Sequence, residues 1–252
     1  MPQPMRVLVL GVGDAFTTRG YGSCFLIDGP QGHVLIDCTD LIHRALREAA
    51  HTAGWNVDSR AIHHILLTHL HGDHCNGLES FGFKGFAERI RGEATVTPTI
   101  HTHPGAAARV WERLAPAMDA PLTPGGKPAT LSDFFQLRTF EVGAPFTVAG
   151  LTVRARRTHH PIPTVGLLIS DGRWTLGVSG DTIFDPEHIA WLDQADVIIH
   201  EANYSPLHTQ VDPLNNLPAK IRSKMHLTHT EDSFDRGSTK IPLLKEGQVL
   251  QG

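Results

Sequence analysis

The chain has 252 residues, 40% hydrophobic and 19% charged, a balance that supplies a large core and excludes a disordered chain. Its 22 basic and 26 acidic residues leave a formal charge of -4, which removes the general electrostatic drive toward a long polyanion such as RNA. Three cysteines, Cys24, Cys38 and Cys75, are too few and too irregularly spaced for a disulfide framework or a Cys-rich zinc site, and fit a reducing, cytoplasmic compartment.

In chain order, apolar runs at Arg6 to Val12, Ser23 to Asp28 and His33 to Cys38 read as strands. A hairpin turn at Gly29-Pro30-Gln31-Gly32 joins the last two. The first run follows a single arginine and has no cleavage pattern, so it reads as a strand and not a signal peptide. Asp40 is expected to cap a helix reaching about Ala53, where Gly54 stops it. A strand at Ile62 to Thr68 and a helix around Asn76 to Arg91, weakened by Gly82 and Gly85, come next. Thr95 to Thr102 then reads as strand and Gly105 to Ala117 as helix.

The second half repeats the order. Strands are expected at Phe135 to Val142, Phe146 to Arg157, Val165 to Ser170 and Thr175 to Ser179, a helix at Pro186 to Gln194, and a strand at Asp196 to Ile199. A loop and helix fill Pro206 to Lys224, before strands at Met225 to Thr228 and near Gln248 to Leu250. Lys240 to Leu244 is expected either to pack on a sheet or to lie over a pocket. Two halves that each run from strands into helices suit an α/β (α+β) sandwich of two mixed sheets with helices outside, in four αβ/βα layers. No linker-like tract divides the chain, so residues 1–252 are expected to form one domain. No stretch approaches ~18 consecutive apolar residues, so no membrane span is expected.

Seventeen histidines are an unusual number for a chain of this length, and imidazole is the commonest protein metal ligand. The informative segment is Thr68-His69-Leu70-His71-Gly72-Asp73-His74, directly after the strand Ile65-Leu66-Leu67. In an extended strand end His69 and His71 face the same way, and Gly72 lets the backbone turn so that Asp73 and His74 address a second point nearby. One short loop can thus hold two ions. Further candidates follow other strands: His159-His160 before Pro161-Ile162-Pro163-Thr164-Val165-Gly166, Asp181 in Ser179-Gly180-Asp181-Thr182, and His226 or His229 around Leu227-Thr228.

The first segment closely resembles the signature of the metallo-β-lactamase superfamily, and the order of the later candidates resembles it too. That resemblance implies the four-layer metallo-β-lactamase fold and a pair of zinc ions, with manganese or iron as alternatives. It implies that one ion takes His69, His71 and His160, that the other takes Asp73, His74 and His229, and that Asp181 bridges them. His160 is preferred to His159 because the ligand of ribonuclease Z and its phosphodiesterase relatives precedes a Pro-Ser/Thr-x-Gly pattern by three residues. The Leu-Thr-His ending favours His229 over His226. Asp37 resembles the family's early aspartate near the metals and is read as an orienting acceptor or as a turn residue. The pairs His63-His64 and His101/His103 are expected to be structural or on the surface.

Two cations sharing a carboxylate can share a water, whose pKa zinc lowers from about 15.7 toward about 7. A metal-bridging hydroxide then suits ester hydrolysis, and the ester must be chosen by other residues. Ile198-Ile199-His200-Glu201-Ala202-Asn203 resembles the His-Glu-Ala-Thr motif of ribonuclease Z and small phosphodiesterases, with Asn203 in place of threonine. This implies His200 as a general acid for an alkoxide leaving group, supported by Glu201, with Asp73 as a further catalytic residue. The expected enzyme is a binuclear phosphodiesterase acting on a small phosphodiester, for which a cyclic nucleotide or a cyclic sugar phosphate is an example. The alternative is a carboxylic-ester, thioester or lactone hydrolase on the same metals. Between His160 and Asp181 there is no room for the basic arm that grips tRNA in ribonuclease Z, so tRNA is a poor substrate. Related enzymes often form dimers, so a homodimer is an admissible state.

Overall fold

Successive side chains of a strand point to opposite faces, so a strand that is apolar at every position belongs inside a layered structure. In the computed structural model, which describes residues 4–252, Val7 and Val9 enter one core while Leu8 and Leu10 enter another. The chain runs through β1 (Arg6–Gly11), β2 (Cys24–Gly29), β3 (Gly32–Ile36), α1 (Ile42–Ala53), β4 (Ile62–Leu66), α2 (Gly72–Cys75), α3 (Gly77–Ile90) and β5 (Thr99–Thr102). Helices α4 (Pro104–Ala107), α5 (Val110–Met118) and α6 (Leu131–Phe134) then lead to β6 (Gln136–Thr139). The second half holds β7 (Phe146–Val148), β8 (Leu151–Arg157), β9 (Val165–Ser170), β10 (Thr175–Val178), α7 (Pro186–Leu192) and β11 (Val197–Glu201). It ends with α8 (Val211–Asn215), α9 (Ala219–Arg222), β12 (Met225–Thr228) and β13 (Val249–Gln251).

Among the described residues these strands build a seven-stranded sheet, β13-β1-β2-β3-β4-β5-β6, and a six-stranded sheet, β12-β11-β10-β9-β8-β7. Strands joined by hairpins pair antiparallel, and strands joined through helices pair parallel: β3 to β6 in the first sheet, β10 to β12 in the second. The sheets face each other across a core of Val7, Val9, Ile27, Val34, Ile36, Val153, Leu167, Ile169, Val178 and Ile199. Ile42, Leu46, Leu78, Phe81 and Val110 seal α1, α3 and α5 against the first sheet. Ile189, Leu192 and Leu214 do the same for α7 and α8 on the second. The result is the four-layer sandwich expected, each fully buried Leu, Ile or Val contributing about 1.5–3 kcal/mol.

Several local expectations are corrected. Asp40 does not cap α1: Leu41 takes that position in a left-handed conformation (φ 55°), and Asp40 instead accepts a hydrogen bond from Asn76 Nδ2. The helix expected at 105–117 is broken at Arg109 (φ -123°) into α4 and α5. The strand expected over 146–157 turns back at Ala149 and Gly150, both with positive φ, to form the β7–β8 hairpin. In α3 Gly82 is a packing requirement, since a Cβ there would lie 2.8 Å from Phe135 and 2.9 Å from Met118, whereas a Cβ on Gly85 would meet only the Arg89 side chain at 3.4 Å. The segment after β12 packs on the second sheet: Ile241 and Leu244 are buried and Leu243 bridges to Leu227.

Candidate metal centre

Ligands in sheets with helical crossovers gather at the carboxyl ends of the parallel strands, where the chain turns outward and the sheet no longer fills the space. Here those ends come from both sheets. Asp37 follows β3, His69 to His74 follow β4, Asp181 follows β10, Glu201 ends β11 and His229 follows β12. His160 arrives from the loop after β8. Backbone conformations rare for residues with side chains accompany the convergence: Asp37 and His229 both have positive φ, 59° and 57°. Gly180 (φ 60°) lets Asp181 enter, because a Cβ there would sit 2.4 Å from the Val165 carbonyl oxygen.

The seven side chains singled out as ligands meet in two overlapping groups, His69, His71, His160 and Asp181, and Asp73, His74, Asp181 and His229, with ligand atoms within 4.8 Å of one another. Asp181 is common to both. Its Oδ2 lies 3.6 Å from His69 Nε2, 3.7 Å from His160 Nε2 and 3.6 Å from His229 Nε2, and its Oδ1 lies 3.4 Å from His74 Nε2. On the outer side, His229 Nε2 is 3.0 Å from Asp73 Oδ2. His159 points away, its side chain 69% exposed, and His226 remains within β12.

The donor set fits divalent cations. The Nε2 atoms of His69 and His74 are buried without a hydrogen-bond partner, and His160 Nε2 faces His71 Nδ1 at 2.9 Å, an arrangement that asks for a shared positive centre. The opposite ring nitrogens are held. His74 Nδ1 donates to Asp37 Oδ2 at 2.7 Å, while Asp37 also accepts from the Thr68 amide at 2.8 Å and from Thr68 Oγ1 at 2.8 Å. With its hydroxyl proton committed to Asp37, Thr68 Oγ1 accepts from His69 Nδ1 at 3.0 Å. A single carboxylate thereby fixes two candidate ligand imidazoles with Nε2 turned inward. Burial holds His69 well below the usual histidine range, in the neutral form that ligates metals. Burial also opposes charge on His74, yet Asp181 and Asp37 outweigh it and hold that ring well above the usual range. His229 is raised to about 9, burial being outweighed by Asp181 and Asp73. A cluster that draws protons onto two rings in this way is one that a cation neutralises.

The His200–Glu201 pair at the end of β11 is arranged differently from the expectation. In β11 neighbouring side chains alternate, so Glu201 faces the centre while the His200 ring turns back, its Nδ1 donating to the Glu201 carbonyl at 2.7 Å. The imidazole beside Glu201 is His208, absent from the sequence reading: its Nδ1 lies 3.1 Å from both Glu201 carboxylate oxygens and 3.9 Å from Asp181 Oδ2. Its ring stacks on His229, centroids 5.0 Å apart. Burial lowers the His208 pKa, but the Glu201 hydrogen bond and the Glu201 and Asp181 charges reverse this and leave it raised. Glu201 in turn is fixed by the amides of Thr182 and Thr209. His71, Asp73, Asp181, His208 and His229 open onto a cavity of about 620 Å³, a size typical of small-molecule sites.

Other expected residues lie elsewhere. His63 is at the surface, His64 and His101 pair at 3.1 Å between strands, and His103 Nδ1 accepts from the Ala106 amide at the start of α4. Arg154 and Arg156 turn outward to Gln194 and Glu187, and Arg157 contacts His103. Cys24, Cys38 and Cys75 are buried and unpaired.

Two facing mixed sheets with helices on their outer faces and a His/Asp cluster at the shared edge define the metallo-β-lactamase fold with a candidate metal site. A solved structure of this fold, YhfI from Bacillus subtilis, superimposes with a TM-score of 0.81 at 20% identity, over 99% of this chain and 100% of that one. Residues 5–250 match the family model "Anti-Pycsar protein Apyc1", and the chain belongs to that family. The Anti-Pycsar protein Apyc1 of Paenibacillus sp. (strain J14) is 30% identical over 97% of this chain and 98% of its own length. The cGMP-dependent 3',5'-cGMP phosphodiesterase A of Dictyostelium discoideum is 24% identical over 98% of this chain, which spans 28% of that larger protein. Among the described residues no helix is long and apolar enough to cross a membrane.

Proposed function

We propose that this chain is a binuclear metal-dependent phosphodiesterase that opens 3',5'-cyclic nucleotides. The observation that carries this reading is the His208–Glu201 pair beside Asp181, because only a poor leaving group such as a ribose alkoxide needs a positioned proton donor. The likeness to the Dictyostelium phosphodiesterase supports the substrate class.

His69, His71 and His160 would hold one cation, Asp73, His74 and His229 the other, and Asp181 both; zinc suits this ligand set, with manganese or iron as alternatives. Bound cations would supply Lewis acidity, lowering the pKa of a water from about 15.7 toward about 7 and offsetting charge on a phosphoryl oxygen. Asp73, on the cavity wall, orients the attacking water. Glu201 binds His208 Nδ1 and leaves Nε2 to give its proton to the departing ribose oxygen. In this reading the acid role assigned to His200 passes to His208, and His200 holds the strand end through the Glu201 carbonyl. The unpaired cysteines and the absence of a folded basic arm between His160 and Asp181 support a cytoplasmic enzyme of small substrates and not of tRNA.

The test is turnover of cyclic AMP and cyclic GMP by the metal-loaded protein, set beside a thioester and a lactone. Cyclic nucleotides are expected to be hydrolysed with kcat/KM at least a hundredfold above both controls, and the reverse order would overturn the reading.

A further inference from the structure

Most large exposed apolar side chains in a soluble domain are scattered, but Phe16 (85% exposed), Leu207 (52%) and Tyr204 (41%) all lie on the wall of the metal cavity. Phe16 sits on a turn in which its amide donates to Asp14 Oδ1 at 3.1 Å. Asn203 Nδ2 donates to Asp14 Oδ2 at 3.1 Å and to the His229 carbonyl at 3.3 Å, tying this turn to the loop that carries Tyr204 and to a metal-site strand end. Tyr204 is braced from outside: its ring stacks on Phe234 (5.3 Å, 16°) and its hydroxyl accepts from the Asp235 amide at 2.9 Å. An aromatic held in place in this way, lining the same cavity as one left bare, is arranged to receive something flat. A cavity of about 620 Å³ has room beyond a cyclic phosphate for what the phosphate carries.

We propose that Phe16 and Tyr204 form the platform on which the nucleobase lies, so that stacking positions the cyclic phosphodiester over the metal cluster. This rests on the cyclic-nucleotide reading above. Stacking on an aromatic face is available to any base, and it acts on binding and not on the chemical step, which belongs to His208 and the metal ligands. Phe16 is the member whose removal disturbs nothing else, because no hydrogen bond or packed ring depends on its side chain. Asn203, where the resembling motif has threonine, acts as the strut that holds the platform to the metal site.

The experiment compares cyclic AMP with the methyl riboside 3',5'-cyclic phosphate, which keeps the phosphodiester ring and lacks the base, on wild type, Phe16→Ala and Phe16→Trp. Wild type is expected to show a KM lower by about tenfold for cyclic AMP. Phe16→Ala should erase most of that gap by raising the cyclic AMP KM with kcat retained, and Phe16→Trp should restore it. Equal KM for the two substrates on wild type, or an unchanged cyclic AMP KM in Phe16→Ala, would overturn the platform while leaving the phosphodiesterase reading intact. A parallel rise for both substrates accompanied by a changed elution volume would also overturn it, assigning the patch to contact with a second copy of the chain. No turnover of either cyclic phosphodiester by wild type would instead sink the reading on which the platform rests.

Discussion

Replacing His208 by alanine leaves Glu201 without its imidazole and the departing oxygen without a proton donor. The loss of a positioned general acid typically costs 10²–10⁴-fold, so His208→Ala is expected to lower kcat on cyclic AMP by about that factor. Bis(p-nitrophenyl) phosphate, whose phenolate leaves unaided, should lose less than about tenfold, and equal losses on the two substrates would refute the acid role. The pH profile carries the same claim. The active form of His208 is protonated, and Glu201 and Asp181 overcome burial to raise its pKa above the ordinary 6.5. The rate on cyclic AMP should therefore hold through neutral pH and fall as pH rises past that raised value. Glu201→Gln should bring the fall to lower pH, and an unmoved alkaline limb would contradict the pairing. By contrast His200→Ala should leave the metal content and the leaving-group dependence unchanged, whatever it does to stability. The sequence displayed the local cluster His69 to His74 because its spacing is set within one strand end. It could not display His208, which is separated from Glu201 by six residues of loop with no motif of their own. Alternation along β11 does contain a warning: if Glu201 faces the centre, its neighbour His200 faces away.

At the scale of elements, two strand ends reach the candidate centre through a backbone that a side chain resists, at Gly180 before Asp181 and at His229 itself. Gly180→Ala places a methyl against the Val165 carbonyl in a conformation of positive φ. It is expected to displace Asp181 and lower both thermal stability and metal content, whereas an alanine variant with full metal content would show that the turn has freedom it is denied here. Asp37 works through two rings at once, His74 directly and His69 by way of Thr68. Asp37→Ala should weaken metal affinity by about 10–100-fold, measured by competition with a chelating dye. A retained affinity would reduce Asp37 to a turn residue, the other reading its position allowed. The strands themselves were legible as apolar runs bounded by turns, and α3 was legible despite its glycines. What the chain could not announce was tertiary: Gly82 is demanded by Phe135 and Met118, which are distant in sequence, and Asp40 is drawn from its helix by Asn76.

For the molecule as a whole, the candidate ligands divide between the sheets. His69, His71, Asp73 and His74 belong to the first, His160, Asp181 and His229 to the second. Cations held across that edge would clamp two layers that otherwise meet through apolar packing and a few hydrogen bonds such as Asn203–Asp14 and Ser23–Thr228, so metal affinity is also folding free energy. Each site filled at a hundredfold excess over its Kd contributes about 2.7 kcal/mol. A chain of this size shifts its Tm by about 2–4 °C per kcal/mol, so stripping both ions should lower Tm by about 10–20 °C, reversibly on reloading. The four-layer architecture was visible in the sequence because each half repeats the order of strands followed by helices. The packing of Ile241 to Leu244 was not, since a short apolar run suits a sheet or a pocket equally. The most direct measurement is metal stoichiometry by elemental analysis of wild type and Asp181→Ala after identical loading and desalting. Two ions per wild-type chain, with both sites depleted when the shared carboxylate is gone, is the predicted result. A single ion, or two that persist without Asp181, would contradict the bridged pair.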